Sequence, residues 1–468
     1  MDTRHAAGEA RAPAPLLERL GLHRPELRAW AMYEWAITGM WAVIVATIFP
    51  IYFEAVLGEG LTGPEQTQYL GIATTLGIVL VAVAAPFLGA ITDRASLKKP
   101  LLALFAGVGV MGAALLFFAQ DGDWLLGLTF FVLVNLGANG SMIFYDALLP
   151  HVARSHEMDR VSAGAFAVGY LGAGLLLLFC LVLIERPDLV GLEEGTLPVR
   201  LAFVATAVWW AGFSIPLFRR VAEPPLELEP GETLEKGTFR FALRRLVGTL
   251  QELRSYRYAF LVAAAYLVYG DGIGTIIRMA AFYGAQVGIG QEHLIGAVVM
   301  VQFVGVPFSF LFGMLAGRIG TKPTIFLGLG VYAVISFLGY FMTTALHFWL
   351  LAFLVGTVQG GTQALTRSLY ASMIPAHKSG ELFGIYGVMD KFAGMMGPSV
   401  MGFVAAATGS VRLGLLSVLV FFVMGAAILL FVNVEEGRDM ARRAEERARF
   451  VGVRAGRGRP GGDSPGRA

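Results

Sequence analysis

The stretches "GAITDRASLKKP" (residues 89–100) and "GMLAGRIGTKP" (residues 313–323) carry a glycine, an arginine and a lysine in the same order, 224 positions apart. Each follows a long apolar run. Two further echoes keep nearly the same offset. Tyr145 and Pro150 of "FYDALLP" match Tyr370 and Pro375 of "LYASMIP" at 225, and Gly169 and Gly172 match Gly394 and Gly397 at 225. Three matches in register imply that the chain is one unit written twice.

What is repeated follows from composition. The 468 residues are 56% hydrophobic and 15% charged, with a mean hydropathy of +0.66, far above an ordinary soluble domain. A bilayer crossing needs roughly 20 apolar residues. Twelve segments qualify, at about 29–53, 67–91, 100–119, 124–149, 161–184, 200–218, 258–284, 293–316, 323–343, 347–372, 382–407 and 412–433. Inside lipid each must satisfy its own backbone, so each is predicted to be a helix. The expected fold is all-α: twelve transmembrane helices in two pseudo-symmetric six-helix bundles. Its divisions are an N-terminal tail (1–28), a first bundle (29–218), a central loop with an amphipathic helix (219–257), a second bundle (258–434) and a basic tail (435–468).

The polar, Pro-interrupted residues 1–28 do not read as a signal peptide. Cys180 is the sole cysteine, so thiols build neither a disulfide framework nor a metal site, and no cofactor is expected. Only Arg186, Arg200 and Arg412 fall in alternate loops, and Arg278, Arg367 and Lys391 within spans, leaving 30 of the 36 Lys and Arg on the side of the two tails. The positive-inside rule then puts both termini in the cytosol of a cell whose inner membrane holds the chain. A formal net charge of +2 points to no nucleic-acid partner. The expected partners are the bilayer, a small solute and, as coupling ion, protons.

"AWAMYEWA", "IFPIYF", "FYDALLP", "RVSAGAFAVGYLGAG", "YGDGIGTIIRMA", "GTVQGGTQALTRSLY" and "GIYGVMDKFAGMMGP" together resemble the bacterial branch of the major facilitator family that contains the fungal autophagy-related vacuolar amino-acid effluxer. The resemblance implies a secondary transporter working by alternating access, with amino-acid export as the activity of the fungal relatives and segments 1, 4, 7 and 10 lining a central cavity. The chain departs from the family at Glu34, more often Asp there, and at Asp146 and Gly270, both often Asn. Gly89, Asp93, Arg94, Lys98 and Lys99 resemble the superfamily's loop between helices 2 and 3. Gly317 replaces the acid in the second copy, so any charge relay there is asymmetric.

Polar residues within spans are costly and mark function or helix contacts. Gln359, Gln363 and Arg367 recur every four residues on one face of a helix. Asn135 and Asn139 stand 224 positions before the two glutamines, so facing amide stripes, or alternatively interhelical bonds, are expected. Arg367, about two turns from the end of its segment, is expected to snorkel or to pair with an acid at a gate. Asp271 and Arg278 share a face roughly 10 Å apart, and Lys391 is the candidate cation for Asp271, with Asp390 pointing about 100° away. Asp271 reads equally as a proton carrier or as a permanent ion-bridge partner, and Glu34, its counterpart in the first half, as a gate or headgroup contact. Asp93 is expected to latch onto a neighbouring helix end or arginine. Gly397-Pro398 is expected to bend its helix.

Phosphate-loop and zinc-protease strings are absent, so enzyme chemistry is not expected. Efflux of another metabolite or drug, and a receptor of transporter fold that binds without moving its solute, stay open at this stage.

Overall fold

The computed structural model describes residues 15–225, 256–393 and 396–457. The helix expected in the central loop falls mostly at 226–255, outside the described residues. The first half contains α1 (Pro25–Met40), α2 (Gly63–Ala95), α3 (Lys98–Leu115), α4 (Trp124–Ala147), α5 (Met158–Glu185) and α6 (Leu197–Arg220). The second contains α7 (Arg257–Gln286), α8 (Gln291–Ile319), α9 (Thr321–Gly339) and α10 (Ala345–Ala371). Two interrupted crossings complete it, α11 (Ser379–Phe392) with α12 (Met396–Thr408), and α13 (Val411–Ser417) with α14 (Leu419–Leu430). Eleven crossings among the described residues are single apolar stretches long enough to span a bilayer. The remaining crossing, eleventh in chain order, is shared between α11 and α12.

Two irregularities depart from the sequence reading. The first crossing runs on from α1 through π-helical turns at Trp41–Ile48 and Phe53–Leu57, where wider turns shift the facing residues. The eleventh breaks at Ala393, whose ψ of 124° is extended, and not at Gly397-Pro398. Those two residues lie in the first turn of α12, where proline's missing N–H costs nothing.

Within the first half α3 packs on α4, α1 on α5 and α6, and α2 on α4; within the second, α8 packs on α10, and α7 and α9 on α14. The halves meet along two exchanged seams: α2 against α11, and α5 against α8. Helices two and eight are copies, as are five and eleven, so each seam is the pseudo-symmetric image of the other. At the end of the bundle that carries both tails the α2–α11 seam closes backbone to backbone. A Cβ on Gly89 would meet the Gly380 carbonyl oxygen at 2.2 Å, and one on Gly384 the Ala85 oxygen at 2.7 Å. Small residues permit that approach, as at many helix contacts in membranes.

Past the last crossing, α15 (Val434–Arg457) turns back onto the second half. Gly437 abuts Met373 and Tyr258, Glu445 accepts from the Ala376 amide at 3.0 Å, and Arg438 donates to Ser372 at 3.2 Å. This helix is docked on protein through Gly437, Arg438 and Glu445.

Candidate functional site: a charged seam between the halves

Arg367 projects from the tail-side end of α10 and is 3% exposed. Its Nη1 donates to Glu34 Oε2 at 3.2 Å and to Asp146 Oδ1 at 3.0 Å, and its Nε donates to Ser162 Oγ at 3.0 Å. Ser162 in turn donates to the Ala364 carbonyl at 2.7 Å. The guanidinium lies over three rings, with centroids 5.0 Å away at Trp30, 5.6 Å at Tyr145 and 4.6 Å at Phe166. Trp30 and Tyr145 stack at 4.5 Å, and Trp30 Nε1 donates to the Tyr145 carbonyl. Arginine suits such a place because its flat, weakly hydrated cation accepts carboxylates at its edge and rings on its face. A cation bound on both counts does not snorkel, and Glu34, itself 3% exposed, makes no headgroup contact. Every one of these partners belongs to the first half, so the cluster ties the halves together.

Further contacts reinforce that end. Asp93, at the end of α2, accepts from the Gly380 amide at 2.9 Å and the Glu381 amide at 2.8 Å, both in the first turn of α11, where unpaired N–H groups and the helix dipole favour an anion. Lys98 pairs with the same carboxylate at 2.6 Å; Ser96, at φ 48°, ends α2 and turns the chain so that Lys98 folds back. The Arg94 side chain lies outside the described residues. His151 and Ser379 share a hydrogen bond at 3.0 Å. Asp159, at the start of α5, accepts from Ser368 at 2.5 Å and from Thr321 at 2.7 Å. The charged contacts between the halves at Asp93, Asp146, Asp159 and Arg367 cluster toward the tail-side helix ends, while deeper in the seam Tyr170 of α5 meets Gln359 of α10. The seam is closed on the tail side.

The other expected residues lie deeper. Asn135 and Asn139 are buried, and each Nδ2 donates to the carbonyl four residues back in α4; Asn135 packs on Gly77 of α2. They are enclosed within the first half, whereas Gln359 and Gln363 of α10 keep part of their surface exposed. Asp271 is buried, with the Thr275 hydroxyl bonded to its own carbonyl. It does not share the network of Glu34, its sequence counterpart. Arg278 is exposed and donates Nε to the Gly274 carbonyl at 3.2 Å. Asp390, partly exposed, accepts from the Tyr266 hydroxyl at 2.9 Å; the Lys391 side chain lies outside the described residues. Sequence reasoning missed Asp159, Ser162, Trp30, Phe166 and Tyr266 as partners. Three of them sit inside the quoted strings "AWAMYEWA" and "RVSAGAFAVGYLGAG", and no periodicity distinguishes them from core residues.

The arrangement can hold one conformation and release it, and among the described residues no group of His, Cys, Asp and Glu is placed to hold a metal ion. Comparison with known proteins agrees. The family described as "Vacuole effluxer Atg22 like" matches residues 65–442. The uncharacterized MFS-type transporter YxiO of Bacillus subtilis (strain 168) is 34% identical over 422 residues, 89% of this chain and 97% of its own. Autophagy-related protein 22-1 of Phaeosphaeria nodorum is 22% identical over 461 residues, covering 82% and 81%. Among solved structures, the human organic anion transporter MFSD10 (TETRAN) superposes with a TM-score of 0.69 at 13% identity, over 89% of this chain and 100% of that one, and so shares the fold. The chain belongs to the Atg22-like effluxer family of major facilitator transporters, and it is not an enzyme.

Proposed function

We propose that the protein exports amino acids across the plasma membrane by alternating access, with both tails in the cytosol and protons as the coupling ion. The observation that carries this reading is the buried set in which Arg367 of one half holds Glu34 and Asp146 of the other. Opening the tail side separates these charges. Buried charges cannot be left without partners, at a cost of several kcal/mol each, so the opening must be coupled to something that neutralises them. Two carboxylates face one guanidinium. A proton on the surplus carboxylate supplies that neutralisation, and the tail-side opening then follows the proton's arrival and departure.

The basic residues on the tail side support the cytosolic orientation, and the effluxer description of the family supports export. Amides at Gln359 and Gln363, with charges at Arg278 and Asp390, suit a zwitterionic solute. Proteoliposomes preloaded with a labelled amino-acid mixture test the reading. Release that an imposed pH gradient alters, and that Gln363→Ala diminishes, is expected. No release from demonstrably folded protein, with or without the gradient, overturns amino-acid export.

A further inference from the structure

Ser162 of α5 fixes a register between the halves. It meets Arg367 and the Ala364 carbonyl of α10, and the two helices run in opposite directions. Two turns outward on the same faces, about 12 Å away at 1.5 Å per residue, stand Tyr170 of α5 and Gln359 of α10. The register brings them together, and the Tyr170 hydroxyl reaches the Gln359 amide. Tyr170 is 4% exposed and enters the second half between two glycines. A Cβ on Gly305 of α8 would meet its Cγ at 3.0 Å, and one on Gly360 of α10 would collide with its Cε2.

The slot holds one more polar group. The same Cβ on Gly360 would also collide with Ser309 Oγ of α8, which places this hydroxyl beside the outer edge of the Tyr170 ring. Ser309 is 1% exposed, and its Oγ has no hydrogen-bond partner. A buried hydroxyl without a partner is costly, and here one lies within reach on a tyrosine engaged elsewhere. Gln359, by contrast, keeps exposed surface on an amide that both donates and accepts, so a solute and Tyr170 compete for the same group.

We propose that Tyr170 is a positioning residue that loosens the solute as the tail side closes. With the tail side open, its hydroxyl pairs with Ser309 and leaves the Gln359 amide to the solute. Closing draws α5 onto α10 through Ser162 and Arg367, and the hydroxyl takes Gln359 back. The solute then meets a weaker site on the side where it leaves, which is the order of affinities that export requires. Gly305 and Gly360 place no side chain against the ring, so it can tilt between its two partners. This rests on the export reading above and gives that reading its direction.

Binding and turnover together decide it, in full-length protein whose unfolding midpoint shows it folded. The probe is the amino acid bound most tightly from a labelled mixture. Tyr170→Phe in nanodiscs is expected to bind it about threefold to tenfold more tightly, the worth of one competing hydrogen bond, and in proteoliposomes to release it more slowly by a similar factor. A substitution that only disturbed packing would weaken binding and slow release together. Ser309→Ala, the milder change, is expected to bind more weakly, because Tyr170 then competes in both states, and to have no further effect in the Tyr170→Phe background. Unchanged or weaker binding by folded Tyr170→Phe, or additive effects of the two substitutions, overturns the exchange and leaves export intact. Folded wild-type protein that neither binds nor releases any amino acid overturns the export reading and the exchange with it.

Discussion

The first half brings carboxylates to the tail-side seam, Glu34, Asp93, Asp146 and Asp159, and the second brings most of the donors that meet them. Those donors differ in kind: a guanidinium at Arg367, hydroxyls at Ser368 and Thr321, backbone amides at Gly380 and Glu381. Duplication supplied two similar scaffolds, and the charged residues were then distributed unequally between them. A seam of acceptors against donors attracts across its length, whereas two identical acidic faces would repel. Asp93 and Gly317 mark the same point at single-residue scale. Position 93 holds the anion that caps α11, and at Gly317 there is open space where a side chain would go.

Breaking that polarity at its centre has the largest expected effect. Arg367→Ala leaves two buried carboxylates without their cation, and a loss of about 3–5 kcal/mol is expected, read as a fall in unfolding midpoint in detergent. Adding Glu34→Gln and Asp146→Asn is expected to recover part of it; no recovery would mean that the rings, and not the acids, hold the arginine. Next comes Asp93→Asn, which removes a charge from the start of α11 at a cost of up to about 2 kcal/mol. Increased labelling of cysteines placed on the tail side of α2 and α11 is expected, and unchanged accessibility would show that the glycine contact alone keeps the seam shut. Asp159→Asn weakens two hydroxyl bonds at about 1 kcal/mol and is expected to raise the same labelling less.

The converse substitution sharpens the comparison. Gly317→Asp restores the acid to the second copy but points it into open space, so a change within about 0.5 kcal/mol is expected; a clearly stabilised seam would show that the asymmetry is not built in. The smallest effect concerns α15. Tyr258 donates to Glu436 at 2.6 Å and Arg257 at 2.7 Å, and the Tyr258 hydroxyl first, then Arg257, hold the Glu436 carboxyl below its ordinary range. A lowered carboxylate contributes above its unfolded value and loses its contribution as pH falls through the folded one. Proteolysis of α15 is therefore expected to quicken slightly on acidification and to lose that dependence in Glu436→Gln.

Much of this was legible in the chain. Apolar length gave the crossings, the 224- and 225-residue offsets gave the two halves, and Arg367 stood out because an arginine four residues from the end of an apolar helix demands a partner. The break at Ala393 was not legible, since the nearby Gly397-Pro398 is the stronger local signal, and a helix end is set by what packs around it as much as by its residues. Trp30 and Phe166 read as core residues and serve also as the ring walls of a charge site.

Sequence alone determined which segments are long and apolar enough to cross a bilayer and which residues share a helix face, because hydrophobic length and the 3.6-residue period are local properties. Only the tertiary structure decided who meets whom. Arg367 and Glu34 stand 333 positions apart, and a helix face states the direction in which a side chain points but not which of eleven other helices lies there. That choice came from the packing of small residues along the α2–α11 and α5–α8 seams, which brought the donors of one half to the acids of the other.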